Sequence, residues 1–72
     1  MKIGDIVKAT VEDMFFHKGT YGTVLSVINV GTLEKSFNVI DVDFNHPLNQ
    51  PEDVLEPGLW MAMESQLEVV TL

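Results

Sequence analysis

The sequence predicts an all-β domain in which five short strands close a small barrel, with a long proline-containing loop ahead of the fourth strand. Three observations lead there. Apolar residues recur with a period of two, and no segment sustains a helical period. Glycine, proline and asparagine punctuate these runs at the spacing of turns. The chain has 72 residues and no cysteine, so a single thin core must be held by its 46% of hydrophobic residues without a disulfide. A closed barrel suits that constraint because it leaves no strand edge unpaired.

The first strand is expected over about 5–12, with Val7, Ala9 and Val11 buried and Lys8, Thr10 and Glu12 outside. A loop from Asp13 to Thr20 follows and carries two consecutive aromatics, Phe15 and Phe16. The second strand, 21–30, changes apolar phase at Ser26, which predicts a bulge or a strong bend. Residues 31–35 form the hairpin turn. In the third strand, 36–44, Ile40-Asp41-Val42-Asp43-Phe44 alternates cleanly, and the opposite register would bury two aspartates.

The stretch 45–58 holds all three prolines, Pro47, Pro51 and Pro57, and so is no central strand. Loops of that length in small domains tend to be functional. A fourth strand is expected at 59–63, a tight 3₁₀ turn at 64–66 and a fifth strand at 67–71. The predicted core is Val7, Val24, Val27, Ile40, Val42, Phe44 and Leu67.

The segment His17-Lys18-Gly19-Thr20-Tyr21-Gly22-Thr23-Val24-Leu25-Ser26-Val27 resembles the KOW-type motif of SH3-like barrels in ribosomal proteins and NusG-type transcription factors. Gly19 would permit the turn, and Gly22 would let a neighbour approach a crowded wall. The opening Gly4-Asp5-Ile6-Val7-Lys8-Ala9 and the closing Met63 to Val70 look like the first and last strands of such barrels. The resemblance implies a five-stranded SH3-like barrel. It says little about function, since this fold hosts many tasks. Nucleic-acid-binding members usually set Lys and Arg beside the motif, where this chain has Lys18 alone, with Glu12 and Asp13 close by.

Eleven carboxylates stand against four lysines and no arginine, a net charge of −7. Binding to phosphate backbones depends on cations that displace condensed counterions. The balance therefore favours a protein partner with a basic surface over nucleic acid or an anionic membrane. A plain solubility role for the acidic residues is the alternative. The longest apolar run, Leu59 to Met63, falls far short of the roughly 20 residues of a membrane helix. Met1 to Asp5 contains no apolar signal region, so no secretory leader is expected. A cytoplasmic protein is the expectation.

No catalytic constellation is visible. Cysteine is absent, and no serine or threonine sits in a nucleophile elbow. Asp41 and Asp43 lie two apart on one strand face, where both stay solvated. His17 and His46 lack metal-ligand spacing, so neither a metal nor another cofactor is expected.

The expected function is that of a non-catalytic interaction module, an accessory or regulatory subunit docking on a larger assembly. The alternative is a KOW-like nucleic-acid-binding domain. The expected partner-binding residues are Phe15, Phe16 and Trp60 as apolar anchors, rimmed by Asp13, Glu52, Asp53 and Glu56. The competing reading has Trp60 plugging one end of the barrel. Self-association through a strand edge or the Phe15/Phe16 loop is a further expectation.

Overall fold

The computed structural model describes residues 1–14, 16–50 and 59–71. They form one antiparallel sheet of five strands: β1 (Ile6–Ala9), β2 (Tyr21–Gly31), β3 (Ser36–Asp43), β4 (Leu59–Met63) and β5 (Leu67–Val69). The spatial order is β4-β3-β2-β1-β5. A 3₁₀ turn, Glu64–Gln66, carries the chain from one outermost strand to the other. No described helix is long and apolar enough to cross a membrane.

The strand sequence and the 3₁₀ turn lie where the sequence puts them, with corrections at the ends. β1 stops at Ala9 because its neighbours change there. The Ala9 amide donates to Thr20 O and its carbonyl accepts from Gly19, while the next amide, Thr10, turns to Gln66 O. Val11 consequently leaves the buried row and is 39% exposed. Phe44 falls just beyond β3 yet remains fully buried.

The phase change in β2 is a bulge. Val24 pairs with Val42 and Ser26 with Asp41, so Leu25 is the inserted residue. One extra residue reverses the alternation and lets both Val24 and Val27 face the core. The close approach at Gly22 is equally concrete. A Cβ there would stand 2.3 Å from Val42 Cγ1 and 3.1 Å from Phe44 Cδ1. Only glycine lets β2 lie this close to the inward side chains of the β3 end.

The core comprises Val7, Ala9, Phe16, Val24, Ile40, Val42, Phe44, Ala62 and Leu67, with Met1, Val27 and Trp60 packed against it. Of the residues expected there, Val27 is partly rather than fully buried. Phe16 is the main addition: its ring stacks on Phe44 with centroids 4.9 Å apart. Asn49 ties the following loop down as a strand would. Its Oδ1 accepts from the Tyr21 amide at 2.6 Å, and its Nδ2 donates to Tyr21 O and Phe44 O, both at 2.8 Å.

The molecule is elongated, 41 × 25 × 18 Å. The pairings explain why. β1 pairs with β2 only over Tyr21–Thr23, and β4 reaches along β3 only as far as Val39. Asn29–Gly31 and Ser36–Asn38 pair only with each other among the described strands, so the β2–β3 hairpin projects as an arm. At its tip the Thr32 amide donates to Lys35 O, and the Lys35 amide donates to Thr32 Oγ1.

Candidate protein-docking surface

The residues expected to form the anchor patch do not assemble as one. Phe16 is 1% exposed and belongs to the core, which corrects its assignment as a surface anchor. Its ring fills the space over Phe44, and a thin core uses every large side chain it can reach. Trp60 lies opposite Val42 on the inward side of β4 and packs on the core. It is partly buried there rather than fully exposed. Asp13 is half-buried, with Gln66 Nε2 at 3.5 Å. Phe15, Glu52, Asp53 and Glu56 lie outside the described residues.

With Trp60 turned in, strand alternation sends Met61 and Met63 out. They join an apolar face on the outer side of β2, β3 and β4. Ile28, Val39 and Met63 stand directly opposite one another across the three strands, and Val30 pairs with Phe37 in the adjoining row. Met61 is 65% exposed, Phe37 48%, Met63 45% and Ile28 42%. Cross-strand neighbours on one face touch or nearly touch, so these side chains form one surface. Contiguity is the informative feature, since single exposed apolar residues are ordinary.

The same face turns acidic toward the base of the hairpin. Asp41 lies between Ser26 and Met61, and Asp43 lies between Thr23 and Leu59. Ser26 Oγ donates to Asp41 Oδ2 at 2.6 Å, and the Asn45 amide donates to Asp43 Oδ1 at 2.9 Å. Both carboxylates are thereby oriented.

The inner side of the arm is different. The row that buries Val42 and Ile40 continues past the end of the core as Asn38 and Ser36, with Asn29 opposite Asn38. These residues border an open groove of about 590 Å³, closed on its far side by the 3₁₀ turn and β5 through Glu64, Ser65 and Glu68. Asn29 Nδ2 donates to Asn38 Oδ1 at 3.1 Å, and Asn38 Nδ2 donates to Glu64 Oε2 at 3.0 Å. Phe37 and Met63 border both the groove and the outer face, which makes the two surfaces continuous.

Away from the arm, Glu12 closes the 13–20 loop. Its Oε2 meets His17 Nδ1 at 2.9 Å, and its Oε1 accepts the Lys18 amide at 2.8 Å. The His17 hydrogen bond first, and the Lys18 amide second, hold the Glu12 carboxyl below its ordinary value. His46 Nδ1 accepts the Leu48 amide at 3.1 Å. No three His, Asp or Glu side chains converge as a metal site among the described residues.

The outer face left a signal that alternation alone does not decode. Phe37 and Val39 are in opposite phase to Ile40, and Ile28 and Val30 follow the bulge, so apolar residues appear on both faces of one hairpin. No family model, curated protein or solved structure matches this chain.

Proposed function

We propose that the chain is a non-catalytic interaction module, a small acidic accessory or regulatory subunit that docks on a larger protein assembly through the outer face of β2, β3 and β4. One observation carries this reading: the contiguous row of exposed Ile28, half-buried Val39 and exposed Met63, with exposed Phe37 beside it, on strands whose other face already builds the core. Aromatic and methionine side chains with a polar border are the composition of protein interfaces. Asp41 and Asp43 on that face, together with the net charge of −7, select a partner whose apolar patch has a basic rim.

The SH3-like barrel remains the reading of the fold that fits best, because the 3₁₀ turn joins the two outermost strands of an order β4-β3-β2-β1-β5. The absence of cysteine supports a reducing, cytoplasmic setting.

The test is affinity capture from a lysate of the expressing cells, with and without nuclease, using wild type and the double variant Ile28→Ser/Phe37→Ser. The partner should survive nuclease. The variant should retain it at least about 30-fold less well, as expected when interface anchors worth roughly 2 kcal/mol are removed. Its melting temperature should stay within a few degrees of wild type. Capture that collapses with nuclease favours the KOW-like nucleic-acid reading. Undiminished capture by the variant removes this face from the interface.

A further inference from the structure

We infer that a second copy of this chain docks on the free edge of β2, pairing Val27–Gly31 antiparallel with its own counterpart about a two-fold axis at Asn29. The outer face proposed above stays open in that pair, and neither reading depends on the other.

Two hydrogen bonds locate the free edge. Alternate residues of an antiparallel strand turn their amide and carbonyl to opposite sides. The Thr32 amide donates across the hairpin to Lys35 O, so Val30, Ile28 and Ser26 turn theirs to β3. Gly31, Asn29 and Val27 then turn theirs away from it. The other end of the strand agrees. The Val24 amide donates to Asp5 O, away from β3, because the inserted Leu25 reverses the phase. Gly4 and Asp5 cover the edge at Val24, but the chain turns off there, the Asp5 amide donating to Lys2 O. Among the described strands nothing pairs with this edge from Val27 to Gly31.

Open strand edges are usually guarded by charge or proline. Leu25-Ser26-Val27-Ile28-Asn29-Val30-Gly31 has neither. An extended backbone satisfies such an edge, and self-complementarity selects a second copy. With Asn29 opposite its counterpart, Val27 falls opposite Gly31, so each outward amide meets an outward carbonyl. Ile28 falls opposite Val30, which joins the row Met63–Val39–Ile28 of one copy to Val30–Phe37 of the other. The same register carries each arm's tip to the other copy's N-terminal turn. Strongly exposed Leu33 approaches strongly exposed Ile3 there, and Glu34 and Lys35 approach Lys2 and Asp5. Opposite charges at these contacts offset part of the repulsion between two chains of net charge −7.

Sedimentation equilibrium of the full chain should show monomer passing to dimer between about 10 µM and about 1 mM. Screening should make the dimer tighter at about 0.5 M salt than at about 20 mM. Amide exchange should slow with protein concentration at Val27, Asn29 and Gly31, and stay constant at Ser26, Ile28 and Val30. Asn29 is exposed, so Asn29→Asp and Asn29→Lys should melt near the wild-type temperature. Each sets two like charges on the axis and should weaken the dimer at least about 10-fold. An equal mixture of the two should recover it to within about threefold of wild type.

A monomer at about 1 mM in both salts overturns the inference. So does a mixture no tighter than the single variants, or exchange that slows evenly along the arm. If either variant unfolds, the alternating exchange of the wild-type chain decides alone.

Discussion

At the scale of single residues, burial and hydrogen-bond partners separate what holds the domain together from what it offers outward. Phe16 and Met14 are two positions apart in one loop, yet Phe16 stacks on Phe44 and Met14 is 77% exposed. Phe16→Ala should cost about 3–5 kcal/mol, the usual loss for a buried aromatic truncated in place. Met14→Ala should leave the thermal midpoint within a degree or two, because it leaves no cavity. Paired thermal melts check this, and equal effects would contradict the packing.

Glu12 gives a prediction in pH. Its carboxyl is held below the usual 4.5 by His17 and Lys18, so the clasp is complete above that value and opens as pH falls through the lowered one. The Lys18 amide resonance should titrate with a midpoint below 4.5 and lose that titration in Glu12→Gln. A midpoint at or above 4.5 would show that the clasp does not form in solution.

At the scale of elements, the strands were legible where one face is buried and the other polar. Ile40, Val42 and Phe44 alternate with aspartates, and the Ser26 phase change announced the bulge that the pairing shows. Legibility failed where a neighbour decides. Phe16 was unreadable as core because its stacking partner lies 28 positions away in sequence. Val11 lost its place because hydrogen bonds from Gly19 and Thr10 end β1, and such bonds leave no period in the sequence. Phe37, Val39, Met61 and Met63 were overlooked as a site because only the pairing register brings three separate strands into one apolar row. Phe15, Glu52, Asp53 and Glu56 lie outside the described residues, so that part of the expected site rests on sequence alone.

Asn49 offers the clearest test of an element. Its side chain makes three hydrogen bonds that pin the loop after β3 to Tyr21 and Phe44. Asn49→Ala removes the side-chain partner of the Tyr21 amide and carbonyl, while Phe44 O keeps the His46 amide, and should destabilise the fold by about 1–3 kcal/mol. Asn49→Asp restores one acceptor and no donor, so it should recover only part of the loss. Chemical denaturation of both variants checks the order. Full stability of Asn49→Ala would mean that water replaces the clasp without cost.

At the scale of the whole molecule, the elongation, the acidity and the two-sided arm belong together. The hairpin extends beyond the reach of β1 and β4, so it carries side chains on both faces that the core does not enclose. The outer side is apolar with Asp41 and Asp43 at its base, and the inner side borders an open groove of mixed polar and apolar lining. On the docking reading proposed above, a net charge of −7 would draw a basic partner to this arm and oppose the approach of a second copy. Burial of the apolar row would then hold the proposed complex once charge has steered the encounter.

Hydrogen–deuterium exchange on the chain alone and in complex with its captured partner tests this account most directly. The account predicts slowed exchange over Ile28–Gly31, Ser36–Val39 and Met61–Met63, with the amides of β1 unchanged. Protection confined to β1, β5 or the 45–50 loop, with the arm exchanging as freely as before, would contradict it.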